Sequence, residues 1–479
     1  MLFLFLHYCT TPMRNLKLTL LLLISLVSQL SFAQTKPYIV NDITQLNPIQ
    51  VDSIITPTTT EEIVNAVKNF KGPISIGGGR YSMGGQTATE KALQIDMRNF
   101  NKILSLSKEK KEVTVQTGIR WRALQQYIDS FNLSITIMQT YANFTVGGSL
   151  SVNVHGRYNG TGPLVYSVKQ LKIVLADGTL VTASPTENRD IFYGAIGGYG
   201  GLGVITEATL ALSDNCKVER SDKVIKINDY KKYYFDHVRN DTAILFHNGD
   251  IYPNRYKKVR EVSYTKTNKD VTIPDRIKPV KESYGFNRFG IAVTSFGAFG
   301  KWVRRHIFDP ITYMGKAPVE WRNYEASYDV KELEPKSRKR STYILQEYFV
   351  PVDSFDVFYP KMAKILRKHR VNVINISIRH ANKDPGTMLA WAKTEVFAFV
   401  IYYKQGTKQK DNDKTKAWTQ ELIAAAICCN GSYYLPYQIF ARPDQFAACY
   451  PNSVSFFQLK KKLDPTNKFQ NKLWNTYYK

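Results

Sequence analysis

Pro73-Ile-Ser-Ile-Gly-Gly-Gly-Arg-Tyr-Ser-Met-Gly-Gly-Gln86 is the stretch that decides how this chain is read. A short β-branched run, Ile74 to Ile76, stops at three glycines, and Gly84 and Gly85 follow. Glycine costs backbone entropy, so five within nine positions point to a left-handed backbone or to a ligand lying on bare main chain. Consecutive unhindered N–H groups of this kind make an anion-binding nest. Gly79 to Gly84 has the gap of a phosphate-binding P-loop, but Gly85-Gln86 stands where that motif needs Lys-Ser/Thr. Without a lysine for a terminal phosphate or a hydroxyl for magnesium, nucleotide hydrolysis is excluded.

Outward from this loop, residues 52–206 alternate short strands and helices. Thr60 reads as the N-cap of a helix to Lys68, with Val64 and Val67 on its apolar face. Strands follow at Lys91–Asp96 and Val113–Thr117, then a helix at Trp121–Asp129. Asp177-Gly178 centres a hairpin from Leu171 to Val181, Ser184 opens another helix, and a strand from Gly203 to Leu212 closes the region. Residues 213–430 differ. Strands at Tyr343–Phe349, Asn372–Ile378 and Val396–Tyr403 are separated by amphipathic helices, which implies an α+β unit with a mostly antiparallel sheet. The stretch 254–340 is basic and poorly periodic, and is expected to be a mobile, loop-rich insertion.

The 479 residues are enough for two or three cores. Arg14 and Lys17, the apolar run Leu18 to Leu30, and Ser31-Phe32-Ala33 have the order of a cleavable export signal over residues 1–33. Cys428 and Cys429 are neighbours on an apolar helical run, and Cys216 and Cys449 are too few to define a disulfide framework. No Cys or His spacing matches a metal site. The formal net charge of +25 suits an anionic membrane surface or a phosphate-bearing substrate better than nucleic acid, which an exported protein seldom meets. A solvated basic surface remains the plainer reading of the same charge.

Three further glycine-bearing motifs follow the first: Thr145-Val-Gly-Gly-Ser-Leu-Ser-Val-Asn-Val-His-Gly156, the Asp177-Gly178 hairpin, and Gly197-Gly-Tyr-Gly-Gly-Leu-Gly-Val-Ile-Thr206. The last contains Gly-x-Gly-x-x-Gly from Gly198 to Gly203. A Rossmann fingerprint must follow a strand and open a helix. Here a helix precedes and a strand follows, so nicotinamide binding of that type is rejected.

In order and spacing the four motifs resemble the PCMH-type FAD-binding domain of the vanillyl-alcohol-oxidase superfamily, over roughly residues 50–212. The resemblance implies a two-part FAD-binding domain at 34–212 and a substrate or cap domain at 213–440. A closing segment, 441–479, would pack back on the first domain. It places Gly77, Gly78, Gly79, Arg80, Tyr81, Ser82, Met83 and Gly84 around the pyrophosphate together with Gly147 and Gly148. Gly198, Gly203, Val204 and Ile205 would lie toward the adenine, and Asn153, His155 and Gly156 toward the isoalloxazine or ribityl chain.

Glu347-Tyr-Phe-Val-Pro351 is similar to a strand of the alditol and aldonolactone oxidases, and Ile376-Ser-Ile-Arg379 to the strand that follows it. Gly431 to Pro451 resembles decaprenylphosphoryl-ribose oxidase, and Leu463-Asp-Pro465 with Phe469 and Asn471 resembles the family's closing motif. Three departures stand out. Ser377 replaces a carboxylate, Tyr437 a basic residue, and Arg80 the histidine that tethers flavin in covalent relatives. A guanidinium cannot form the histidyl link, so the FAD is expected to be non-covalent.

The implied activity is oxidation of a carbinol of a sugar, sugar lactone or alditol, with hydride passing to flavin and electrons onward to O2 or a quinone. Glu347, Arg379, Tyr437 and His155 are the candidate catalytic residues. Two alternatives stay open: an oxidase of a polyprenyl-phosphate-linked sugar at a membrane surface, and a flavin-binding electron carrier without catalysis.

Overall fold

Thr58-Thr-Thr-Glu-Glu62 shows how the first unit starts. In the computed structural model, which describes residues 37–253 and 255–478, the helix runs Thr60–Asn69 and its N-cap is Thr59. The Thr59 hydroxyl accepts the Glu62 N–H at 3.2 Å, and Glu62 accepts the Thr59 N–H at 3.3 Å. The reciprocal box needs the carboxylate at N3, and Glu62 stands three residues after Thr59 rather than Thr60. The expected signal, residues 1–33, lies outside the described residues.

This helix buries Ile63 and Val67 against a three-stranded parallel sheet ordered Ser53–Ile55, Leu93–Asp96, Ile74–Gly77. An antiparallel sheet lies beside it, with Ile103–Ser107, Glu112–Gln116, Val204–Asp214, Val168–Val174 and Leu180–Ala183 in that order. Val174 and Val204 join the core of the parallel sheet. The Asp177-Gly178 hairpin is present: Gly178 has φ +83°, and the Asp177 carboxylate accepts the Thr179 N–H at 2.8 Å. Ser184 does not open the next helix. Its hydroxyl accepts the N–H groups of Thr186 and Glu187, closing a separate turn, and the helix begins at Arg189 behind a left-handed Asn188.

The second half is an eight-stranded, wholly antiparallel sheet. Its order is Val319–Trp321, Lys217–Lys226, Lys258–Lys266, Ile244–Ile251, Asn372–Ala381, Val396–Gly406, Ser341–Pro351, Ser432–Tyr433. The α+β class therefore holds. The loop-rich reading of 254–340 does not, since Lys258–Lys266 and Val319–Trp321 are strands of this sheet and helices occupy Gly285–Thr294 and Gly297–Val303. Basic composition disguised the strand Lys258–Lys266: its Arg260 is half-buried, paired with Asp222 and laid over the Tyr313 ring at 4.1 Å. Helices Phe355–Lys368 and Gln409–Ile427 cover one sheet face, where Gln346 donates to the hydroxyls of Tyr403 and Thr419.

The tail returns to the first unit. Ile74 donates to the Lys468 carbonyl at 2.7 Å and accepts from Gln470 at 3.0 Å, so Phe469 bridges the edge of the parallel sheet. The fully buried Lys460 ammonium donates to the Asp464 carboxylate at 2.9 Å and to the carbonyls of Gly201 and Phe469. Asp464 also accepts the N–H groups of Lys468 and Phe469. Breaking a buried pair strands the remaining charge. Asp464→Asn should therefore cost about 3–5 kcal/mol of unfolding free energy, read as a lowered midpoint in denaturant titration.

Candidate flavin and substrate site

The loop after Ile74–Gly77 opens into a cleft. Gly78, Gly79, Arg80, Tyr81, Ser82, Gly147, Gly148, Gly203 and Ile205 all line it. Thr145 caps the helix Val146–Val152 at the same place, its hydroxyl accepting the Gly148 N–H at 3.2 Å. Gly78 must be glycine here, because a Cβ would overlap that hydroxyl. Arg80 holds φ +61° and donates to Asp96 at 3.0 Å.

Several polar groups in the cleft lack partners. Among the described residues no acceptor is found for the N–H groups of Gly78, Gly79, Tyr81 and Ser82. The buried Arg80 Nε and Thr87 Oγ1 are also unsatisfied by protein. Buried donors are normally paired. A row of them along a groove cleared of side chains fits a diphosphate linked to flat aromatic groups at either end.

Other residues expected at the cofactor are not among those lining this cleft. Gly77 ends its strand and Val204 is buried in the core. Asn153 caps a helix with φ +49° and donates to Asp384, while Gly156 and Gly198 pack closely on the carbonyls of Met138 and Gly194. Met83 and Gly84 form a clamp outside the cleft lining. The Met83 N–H donates to the Pro436 carbonyl at 2.6 Å, and the Gly84 N–H donates to Gln86 at 2.9 Å. Gln86 in turn donates to the carbonyls of Leu435 and Tyr437, each at 2.7 Å. Thr117, Phe144, Ser151, Tyr199, Gly200 and Pro436 line the cleft without having been expected. Ser151, Tyr199 and Gly200 fell inside the quoted motifs, whereas Thr117 and Pro436 carry no local signal.

The four catalytic candidates converge. Glu347 is 3 % exposed; its Oε1 lies 2.6 Å from His155 Nε2, and its Oε2 accepts the Tyr437 hydroxyl at 3.3 Å. His155 Nδ1 faces the Gly156 carbonyl at 3.2 Å. A carbonyl only accepts, so Nδ1 carries a proton and the His155–Glu347 contact shares one more. Burial, followed by the Glu347 charge, pushes the Tyr437 phenol well above its ordinary range and keeps it a donor. Trp391, Phe349 and Tyr434 wall the imidazole with ring centroids at 4.9, 5.6 and 6.0 Å.

Strand register places Arg379. Glu347 pairs with Val400 and Val400 with Ser377, so the three form one row across the sheet. Side chains alternate along a strand, which puts Arg379, two residues beyond Ser377, on the same face. Burial lowers the Arg379 pKa, with Glu347 opposing it, and among the described residues its Nε has no hydrogen-bond partner. Arg379, Ser377, Asn375, Tyr141 and Leu345 line a second cleft. Glu347 itself is buried behind both clefts: Tyr437, which it accepts from, follows Pro436 of the first cleft lining, and Leu345, two residues before it on the same strand face, lines the second.

Residues 51–184 match the model of an FAD binding domain. Over that span the chain resembles the FAD-binding domains of the vanillyl-alcohol-oxidase superfamily. The chain is 31% identical to mouse L-gulonolactone oxidase over 31% of its length and 34% of the relative. It is 29% identical to a putative D-arabinono-1,4-lactone oxidase of Neurospora crassa over 34% of this chain and 28% of the relative. Cytokinin dehydrogenase 2 of Arabidopsis thaliana is 26% identical over 44% of each chain. The matched region is thus less than half the length of these curated relatives, and FAD is the cofactor that it binds.

Gly78→Ala forces a Cβ into the Thr145 cap that shapes the cleft. Overpacking of this kind costs about 1–3 kcal/mol, so Kd for FAD should rise about ten- to hundredfold, measured by flavin fluorescence quenching on titration of the apoprotein.

Proposed function

We propose that this protein is an exported, FAD-dependent oxidoreductase that oxidises a carbinol of a sugar, sugar lactone or alditol. The observation that carries the proposal is the buried Glu347, held by His155 and Tyr437 and on one sheet face with Arg379 of the second cleft. Bound FAD supplies the two-electron acceptor for the hydride. The chain's own residues supply the rest.

The second cleft receives the substrate, with Arg379 and Asn375 offering donors from the sheet. Glu347 Oε2 takes the hydroxyl proton, and His155, sharing a proton with Oε1, offsets the charge on the pair. Tyr437, a donor throughout, turns Oε2 toward the hydroxyl. Arg379 stabilises negative charge developing near the cofactor or on the substrate. The aromatic wall of Trp391, Phe349 and Tyr434 keeps water from the imidazole. Arg80 stands where covalent relatives carry the linking histidine, so the flavin is dissociable, and O2 or a quinone takes the electrons onward.

A second reading, a polyprenyl-phosphate-linked sugar, draws on the apolar side of the second cleft, where Phe286, Phe289, Phe308 and Ile311 stand beside Arg304.

Acid precipitation of the purified protein should leave all yellow colour in the supernatant; colour retained in the pellet would contradict dissociable FAD. Under anaerobic conditions an aldonolactone or alditol should bleach the flavin absorbance. Glu347→Gln should slow that bleaching about 10²–10⁴-fold with flavin content unchanged. Bleaching confined to lipid-phosphate sugars would select the second reading, and none with any carbinol would leave an electron carrier.

A further inference from the structure

Amphipathic helices ordinarily turn their apolar face inward. The helices over the second cleft do the reverse. Phe286 is 85 % exposed and Phe289 60 % on Gly285–Thr294, while Phe296, the N-cap of Gly297–Val303, and Phe299 and Trp302 within that helix are 75, 65 and 53 % exposed. Phe296, Phe299 and Trp302 recur every third residue, and the Phe299 and Trp302 rings stack with centroids 6.3 Å apart. Ile311 and Met314 extend the exposed apolar set at 63 and 76 %. Of eighteen exposed large hydrophobics among the described residues, eight fall between Phe286 and Met314. A concentration of that kind marks a surface made to be covered.

The same segment is strongly basic. Residues 278–316 hold seven Lys or Arg against two acidic residues, Glu282 and Asp309, and Asp309 is taken up by Arg304 at 3.5 Å. Lys281 and Lys316 are exposed at either end, with Arg305 half-buried between them. The helices are also anchored to the sheet. Lys301 donates to Thr294 and Asn372, and Arg304 to the Ile374 carbonyl and Asn375, so the apolar side is held outward. Among the described residues no helix is long and apolar enough to cross a membrane.

From these observations we propose that residues 285–314 are an interfacial docking surface for an anionic phospholipid bilayer, with Phe296, Phe299 and Trp302 entering the headgroup–acyl boundary and the flanking lysines and arginines meeting lipid phosphates. Aromatic residues with a cationic margin are the chemistry of such a surface. A second copy of this chain would also cover an apolar face, but it would bring the same basic margin against its own. Phe286, Phe289 and Ile311 line the second cleft and remain exposed, so docking sets the cleft mouth against the lipid surface.

The test uses the full chain throughout, so that residues 1–33 contribute equally to every sample. Wild type and Trp302→Phe are mixed with phosphatidylglycerol vesicles brominated in the acyl chains about 5–10 Å below the headgroups. The difference between the two emission signals reports Trp302, which should be quenched by these vesicles and much less by phosphatidylcholine vesicles. Phe296→Ser/Phe299→Ser, which lies outside the cleft lining, should weaken vesicle partition about tenfold or more with flavin content and circular dichroism retained. Equal quenching of wild type and Trp302→Phe, or unchanged partition of the double variant, would overturn the proposal. A concentration-dependent dimer lost in Phe296→Ser/Phe299→Ser without Trp302 quenching would overturn it in favour of a second copy.

Discussion

The buried Glu347 carboxylate is the constraint around which the site is arranged. A carboxylate this deeply enclosed is costly unless its oxygens are hydrogen-bonded or its charge is shared. Both oxygens are met, and from different parts of the chain: His155 follows the second glycine motif, and Tyr437 lies beyond the last long helix. Neither partner could move without leaving an oxygen unpaired. Binding loop, sheet and C-terminal segment are thereby tied to one side chain. The Met83 and Gln86 clamp supports the same point by fixing residues 435–437 to the end of the first glycine loop.

Sheet parity divides the labour along Ser341–Pro351. Glu347 shares a face with Leu345, which lines the second cleft; Gln346 and Tyr348 face the opposite way, where Tyr348 donates to Gln346 and Gln346 donates to Tyr403 and Thr419. A one-residue slip would bury the amide among catalytic groups and set the carboxylate against a helix. Parity also gives the Ser377 departure its meaning. A carboxylate at 377 would share a row with Glu347 across Val400, placing two acidic groups on one buried face; serine leaves Glu347 as that row's acid.

How much of this was legible in the sequence depended on the range of the signal. Asp177-Gly178, the glycine loops and the long strands announced themselves locally, because turn chemistry and β-branched runs act over a few residues. The cap at Thr59 was misplaced by one residue, since three threonines stand in a row and only the spacing to Glu62 distinguishes them. The strand Lys258–Lys266 was hidden because neutralisation by Asp222 and stacking on Tyr313 come from distant segments. Motif order pointed to Glu347, His155 and Arg379 as separate candidates. Their meeting at one carboxylate is a product of sheet register and of a clamp that no local window contains. Thr117 and Pro436 reach the cleft for the same reason, carried there by the strand and clamp on which they sit.

The return of the tail to Ile74 also sets an order of assembly. The parallel sheet that begins the flavin cleft is completed at one edge by Phe469, nearly four hundred residues later in the chain. Until that segment emerges, the Ile74–Gly77 strand presents unpaired amides and an apolar edge, the kind of surface that invites pairing with another chain. Contacts of such sequence separation close slowly, because the loop entropy must be overcome before the pairing rewards it. The strand that leads into the cofactor cleft is thus synthesised long before the segment that pairs with its edge, an interval in which an open strand edge is prone to pair wrongly.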